Sequence, residues 1–275
     1  MYPQGSILGP LLFIIFANDL PHSLLCNLDT YADDSTLTST QETIQDINVD
    51  MNVNCELVST WMRENKLCLN ADKTHLMIAG TAERLQRMDL DTVDITMDGI
   101  KLAETKEKYE TLPGVHFQPN LKWSKHIAEL QSKLKTRLTG LLQVRYVLST
   151  KYMKVIAEGI FNSVLIYCIP LWGGCDKGHV KSLQVMQNTA ARHVLNLPPW
   201  SNRSSMFDQL GWLTVAQLAV YHTVLSVFKI RRSEEPEYLY EKLSKDNVRG
   251  HIVIPVTTLS LAMNSFCYRG AADWN

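Results

Sequence analysis

No run of apolar residues in this chain is long enough to span a bilayer. The longest, Ile7 to Ala17, is broken by Gly9 and Pro10, and a spanning helix needs about 18–20 residues. No basic region or small-residue cleavage site frames that run as a secretion signal. Cysteine is sparse: six residues in 275, at positions 26, 55, 68, 168, 175 and 267, none tightly spaced. That spacing excludes a disulfide scaffold, and Cys168, Cys175 and His179, with His193 further on, match no tight zinc pattern, so reduced, buried thiols and a surface His are expected. No repeat or low-complexity tract is present, and 13 Gly with 10 Pro exclude a collagen-like or disordered chain. These absences predict an intracellular protein, cytoplasmic or nuclear and not secreted, with no membrane partner. With 45% hydrophobic and 20% charged residues, the chain can bury a substantial core.

The net charge of −1 conceals a polarity along the chain. Residues 1–121 hold 8 Lys and Arg against 18 Asp and Glu, whereas residues 122–154 hold eight basic residues against Glu129 alone. Residues 155–275 carry 11 basic and 9 acidic groups. An acidic N-terminal part beside a basic segment implies two working surfaces, one for cations and one for polyanions.

The order of elements follows from periodicity. The apolar run ending at Asn18-Asp19 reads as a helix, and Leu28, Thr30 and Ala32 alternate with polar residues up to Asp33-Asp34. The alternation resumes at Ser35, which predicts a β-hairpin with two carboxylates at its tip. Ser39 and Glu42 have capping-box spacing ahead of a helix over 41–64 with Ile44, Ile47, Met51, Val58, Trp61 and Met62 on one stripe. Residues 67–70 and 74–79 read as short strands around Asp72-Lys73. Val93 to Met97 reads as a strand closed by an Asp98-Gly99 turn. After Pro119-Asn120 the pattern becomes helical. Ser124 is placed to cap a helix striped by Ile127, Leu130, Leu134, Leu138 and Leu141. Further helices are expected over 150–168, 178–195 and 215–231, and aromatics such as Trp172, Trp200 and Trp212 are more often core residues than base-stacking platforms, so no role is assigned to them.

Three segments stand in a recognisable order: Pro3-Gln4-Gly5-Ser6-Ile7-Leu8-Gly9-Pro10, Tyr31-Ala32-Asp33-Asp34, and Asn70-Ala71-Asp72-Lys73-Thr74. They resemble successive motifs of a reverse transcriptase palm, in the style of non-LTR (LINE-type, jockey-like) retrotransposons. Trp123-Ser124-Lys125-His126-Ile127 is similar to the start of the thumb in that family. Ser265 to Ala271 with Trp274-Asn275 resembles its C-terminal tail. The likeness covers nearly the whole chain, and the ordered set is far more specific than any one motif.

The resemblance implies an α+β fold. Residues 1–117 would form part of a polymerase palm, an antiparallel sheet with helices. Residues 118–197 would form a mainly α-helical thumb, and 198–275 a C-terminal extension. It implies RNA-directed DNA synthesis by two-metal nucleotidyl transfer, with Mg²⁺ or Mn²⁺ as cofactor. An RNA template, a DNA primer and deoxynucleoside triphosphates would be its partners. Such chemistry clusters carboxylates around cations about 3.5–4 Å apart, and a hairpin tip presents them rigidly. By resemblance Asp33 is a direct metal ligand, Asp34 supports it, and Tyr31 and Ala32 pack beneath the primer terminus. Gln4, Gly5 and Ser6 would lie against the templating base and nucleotide, and Lys73 near the triphosphate. Plainer alternatives stand beside these: a solvated turn for Asp33-Asp34, a helix cap for Ser6, a surface cation for Lys73.

Lys125, Lys133, Lys135, Arg137 and Arg145 suit a helix tracking a phosphate backbone, with a solvated cationic face as the alternative. Two departures from the family pattern bear on activity. Only Met1 and Tyr2 precede Pro3, which leaves no place for the family's upstream metal-binding Asp or fingers; Asp19 and Asp29 lie after the motif. No endonuclease or RNase H segment is present. Tyr109 to Val115 also carries extra residues, Glu110, Thr111 and Pro113, where the family has a tight primer-gripping hairpin, and Pro113 is expected to remove a backbone donor from a strand. The expectation is a chain inactive, or nearly so, alone; the competing expectation is a non-enzymatic RNA- or DNA-binding fragment acting through residues 122–154.

Overall fold

The computed structural model describes residue 6 and residues 8–70, 73–102 and 109–275. The chain divides into two compact units, residues 1–114 with 118–120, and residues 115–117 with 121–275. It is mixed α and β, and the described strands form three separate two-stranded ladders rather than one sheet.

In the first unit, α1 (Leu8–Ala17) buries none of its residues. A 3₁₀ turn follows at Leu20–Ser23. The hairpin β1 (Asn27–Tyr31) and β2 (Asp34–Thr38) comes next. Helix α2 (Ile44–Glu64) is the scaffold of this unit. Its start differs from expectation: Thr43, not Ser39, is the cap, accepting from the Asp46 amide at 3.1 Å. The Ser39–Glu42 box does not form because Ser39 instead donates to Asp50 Oδ2 on the helix face. Cys55, Val58 and Trp61 bury against Leu20, Ile95, Met97 and Leu102, with Leu28 and Leu37 of the hairpin packed on that core.

Three asparagines on α2 hold the chain segments around it. Asn54, fully buried, accepts from the Leu25 and Cys26 amides at 2.8 and 3.1 Å, fixing the strand entering β1. Asn48 and Asn52 pair with residues 92–96 as peptide groups would. Asn48 donates to Thr92 O and accepts from Asp94 N; Asn52 donates to Asp94 O and accepts from Thr96 N, all within 3.0 Å. Each carboxamide thus replaces a missing strand partner. A short helix α3 (Ala82–Arg87) lies between these segments in sequence. The strands β3 (Thr96–Met97) and β4 (Ile100–Lys101) join through Asp98-Gly99, both at positive φ, as a two-residue hairpin turn requires. Residues 67–70 and 74–79 are not the strands expected of them: outside an isolated bridge at Leu76 they make no ladder.

Strands β5 (Glu110–Leu112) and β6 (Val115–Phe117) flank a turn at Pro113-Gly114. This corrects the expectation that Pro113 removes a donor from a strand. It occupies the turn, followed by Gly114 at φ 78°, the order a proline–glycine turn favours.

The second unit is helical. Helix α4 (Ser124–Val144) starts one residue earlier than a Ser124 cap would set it: Trp123 is the cap residue and makes no side-chain cap bond. Its stripe of Ile127, Leu130, Leu134 and Leu141 enters a core shared with α5 (Thr150–Ala157), α6 (Ser163–Ile166), α7 (Ile169–Trp172) and α8 (Lys177–Leu195). Leu134, Leu141, Met153, Phe161, Leu165 and Trp172 are fully buried, each contributing about 1.5–3 kcal/mol relative to exposure. The expected helix over 150–168 is interrupted. A π turn occupies Glu158–Asn162, and Cys168 takes a left-handed φ of 51°. Trp172 and Trp212 are buried as expected, while Trp200 is 84% exposed.

Helices α9 (Arg203–Leu210), α10 (Val215–Ser233), α11 (Glu237–Leu243), α12 (Ser260–Met263) and α13 (Phe266–Trp274) complete the unit. Thr214 and Gln217 form a full capping box on α10. Helix α13 is held by specific contacts. Arg269 donates to Pro170 O, Gly270 lies against Val227, and the Asn275 carboxamide accepts from Ile252 N and donates to Ile252 O at 2.8 and 2.9 Å. All six cysteines are free; only Cys55 is fully buried, and Cys68 is exposed. Among the described residues no single helix is long and apolar enough to cross a membrane.

Candidate functional site

The β1–β2 hairpin builds the acidic site. Its register pairs Leu28 with Leu37 and Tyr31 with Asp34, leaving Ala32-Asp33 as a two-residue turn. Alternation puts Leu28 and Leu37 on the face packed to the core, and Asp29, Tyr31 and Asp34 on the opposite face. Ala32 has φ 55°, a conformation costing an alanine roughly 1–2 kcal/mol. The turn therefore holds a strained residue directly before Asp33. Tyr31 is 67% exposed, and Ala32, Asp33 and Asp34 are exposed as well. Neither the Asp33 nor the Asp34 carboxylate takes a hydrogen bond or ion pair among the described residues.

Two adjacent unpaired carboxylates are hard oxygen donors of the type Mg²⁺ takes while keeping water in its shell. They fit a share of such a site. Among the described residues no three His, Cys, Asp or Glu side chains converge as a metal-holding group. Asp29 shares the outward face with Asp34, diagonally across the ladder. Asp19 is engaged elsewhere, accepting from the Trp61 indole N–H at 3.2 Å.

Gln4 and Gly5 lie outside the described residues, as do Ala71 and Asp72. Ser6 is half-buried, and Lys73 is exposed with its amide donating to Asn70 O at 3.1 Å. No described contact joins Lys73 to the hairpin tip.

The basic residues of α4 do not share one face. Lys125 is paired with Glu129 at 3.0 Å. Lys133 and Arg137, four residues apart, lie along one flank of the buried stripe. Lys135 is turned about 200° from Lys133, on the other flank. All three are exposed. Arg145 follows the end of α4: its Nη1 is 3.4 Å from His193 Nδ1, and its guanidinium lies 4.3 Å from the Tyr146 ring centroid. Arg192 was not singled out by sequence, and His193 was weighed only as a metal ligand whose spacing fits no zinc pattern. Only helical spacing on α8 could have suggested them, and that does not reveal which helix end they meet.

His126, in the thumb-like motif, is not a surface group. It is 6% exposed, ringed by His116, Trp123 and Trp172, and its Nε2 is buried without a partner. Burial, then the charges of His116 and Lys133, push its pKa down to about 4.

Residues 1–146 match the profile of the reverse transcriptase (RNA-dependent DNA polymerase) family. The chain belongs to that family and is of the jockey-like, non-LTR retrotransposon kind. It is 28% identical over 213 residues to the RNA-directed DNA polymerase from mobile element jockey of Drosophila funebris, covering 74% of this chain and 22% of that protein. Against the probable RNA-directed DNA polymerase from transposon BS of Drosophila melanogaster it is 24% identical over 242 residues, 84% of this chain and 26% of the relative. The corresponding X-element protein of Drosophila melanogaster is 26% identical over 221 residues, 78% and 24% respectively. The chain spans about a quarter of the length of these curated relatives, and the alignments extend past the 146 residues of the family profile. No solved structure matches it.

Proposed function

We propose that this chain supplies part of the catalytic palm and the thumb of an RNA-templated DNA polymerase. In the reaction the primer 3′-oxygen attacks the α-phosphorus of a deoxynucleoside triphosphate. A phosphodiester forms, the α–β bond breaks, and pyrophosphate leaves. A divalent cation, Mg²⁺ or Mn²⁺, would lower the charge on the reacting phosphates when bound. Asp33 would hold it directly, with Asp34 completing the acidic tip. Tyr31 and Ala32 would support the primer terminus, the small Ala32 side chain allowing close approach. Gln4, Gly5 and Ser6 would border the templating base, and Lys73 would offset charge on the departing pyrophosphate. The first unit takes the palm role in this reading, and α4 of the second the thumb role. The observation that carries it is the hairpin tip: two exposed carboxylates with no partner among the described residues, in a chain whose family copies RNA.

Primer extension on an RNA template with Mg²⁺ tests the reading. Asp33→Ala should abolish any extension and leave folding intact. A second reading rests on Lys133, Lys135 and Arg137, which are exposed and form no ion pair among the described residues: a non-enzymatic fragment that binds RNA or DNA. It predicts strongly salt-dependent binding, indifferent to Asp33→Ala, with no extension under any condition.

A further inference from the structure

The ends of α4 and α8 bring together a set of basic groups that the reactions above do not use. Gln131 of α4 donates to Ser182 of α8 at 2.6 Å, and fourteen residues on Arg145 meets His193. The two helices therefore run parallel and finish side by side. At that end stand Arg145, Arg192 and His193. Burial, then Arg145, then Arg192 lower the pKa of His193, so both guanidiniums act on the same imidazole. No carboxylate pairs with any of the three among the described residues, and Nε of both Arg145 and Arg192 is buried with no hydrogen-bond partner.

Like charges gathered without an acid repel, and a buried N–H without an acceptor costs about 1–3 kcal/mol. Helix C-termini attract cations, which is the simplest account of basic residues here. That account offsets their charge, but it would satisfy the two buried Nε donors only if the guanidiniums reached terminal carbonyls. Instead the free carbonyl of Arg192 is used by the Asn196 and Leu197 amides, and Arg145 reaches His193 and the Tyr146 hydroxyl. Neither arginine side chain reaches a helix-terminal carbonyl. What the cluster lacks is an acceptor with several oxygens and negative charge. Against Arg145 lies Tyr146, 70% exposed, a feature of surfaces that also meet bases.

We propose that Arg145, Arg192 and His193 form a phosphate-binding site at the paired ends of α4 and α8, whose ligand is a phosphodiester of bound nucleic acid. The identity of the ligand rests on the nucleic-acid reading of the previous section; the phosphate chemistry does not. Two arginines present forked donors to an oxyanion, and His193 gains a proton as the anion binds.

The test uses the full chain. With inorganic phosphate as the probe, histidine proton resonances are followed through a pH titration, the His193 signal being the one lost in His193→Gln. Phosphate should raise the His193 midpoint. Arg192→Gln should remove the response, and Arg192→Lys should keep part of it. In a second arm, binding of an RNA–DNA duplex and of a single strand is measured against salt. Arg192→Gln should weaken binding roughly tenfold and lower the slope of log K on log salt by about one. Lys133→Gln should weaken binding but leave the phosphate response of His193 unchanged. Circular dichroism confirms that each variant is folded. A His193 midpoint unmoved by phosphate in the folded wild type overturns the site. A phosphate response with oligonucleotide binding untouched by Arg192→Gln overturns the phosphodiester assignment and makes free phosphate the ligand. A phosphate response in a chain that binds no nucleic acid upholds the site and refutes the nucleic-acid reading instead.

Discussion

His126 should make the second unit acid-labile, and the size of the effect follows from its surroundings. The imidazole sits among Trp123, Trp172 and His116, with Nε2 sealed from water and from any acceptor. Nδ1 is 3.5 Å from the His116 amide and can accept from it only while unprotonated. A proton on this ring would be buried with no partner and would face the His116 ring and the positive Lys133. The folded-state pKa is therefore pushed down to about 4 from 6.5. Because the unfolded chain binds the proton first, stability is complete above pH 6.5 and falls as pH drops toward 4. The full effect is roughly 3 kcal/mol, and about 2 kcal/mol of it is lost by pH 5. Urea unfolding at pH 7.5 and pH 5, read by tryptophan fluorescence, measures it. Five of the six tryptophans lie in the second unit and only Trp61 in the first, so the signal reports mainly on the right region. His126→Phe keeps a ring in the cage and removes the titration. The variant should lose about 2 kcal/mol less than wild type over that interval. His193 and His222 also have lowered pKa values, from burial first. They act equally in both proteins and cancel in the difference. Equal losses in wild type and His126→Phe would refute the argument.

Three further perturbations follow from the packing. Asn54→Ala leaves the Leu25 and Cys26 amides without their acceptor beside α2. It should cost about 2–4 kcal/mol and loosen the entry to β1, read as faster amide exchange across residues 25–31. Gly270→Ala places a methyl 2.8 Å from Val227 Cγ2. It should lower the unfolding midpoint by an amount equivalent to about 1–3 kcal/mol, and Val227→Ala should restore much of the loss. Ile14 and Ile15 of α1 are 62% and 64% exposed, so Ile14→Glu with Ile15→Lys should leave unfolding free energy within about 0.5 kcal/mol of wild type. The same pair should reduce self-association in sedimentation velocity, because contiguous exposed apolar surface drives association.

Legibility in the sequence tracked how local each cause was. The Asp98-Gly99 turn, the β1–β2 hairpin and the stripe of α4 were readable because a few neighbouring residues decide them, although the hairpin turn falls at Ala32-Asp33, one residue before the expected Asp33-Asp34 tip, and Asp34 opens β2. The start of α2 was misread because Ser39-x-x-Glu42 satisfies the capping pattern, yet Ser39 is claimed by Asp50, eleven residues away. The α2 asparagines were passed over for a related reason. A mid-helix Asn carries a propensity penalty of only tenths of a kcal/mol, which does not reveal that residues 92–96 lack a strand partner. The left-handed Cys168 falls where the expected helix over 150–168 ends, with Pro170 two residues on, whereas the π turn at Glu158–Asn162 has no glycine or proline pattern that sets it apart from an ordinary helical turn.

The acidic hairpin tip and the basic residues of the helical unit differ in the same respect. Asp33 and Asp34 are adjacent in sequence, so a four-residue turn is enough to present them together, and the motif remains readable in isolation. The basic face is assembled by helix packing, which sorts residues that composition had grouped. Lys125 is paired with Glu129, Lys135 is turned away from Lys133 and Arg137, and Arg145 is drawn to α8. A run of cations along a helix is therefore poor evidence for a continuous track along one strand. Exposure, flank and the absence of an acidic partner together leave Lys133 and Arg137 along α4 and the arginine pair at its end. Those two groups make separable demands on a polyanion. Neutralising Lys133 or Arg137 should change affinity alone, whereas neutralising Arg192 should change both affinity and the titration of His193.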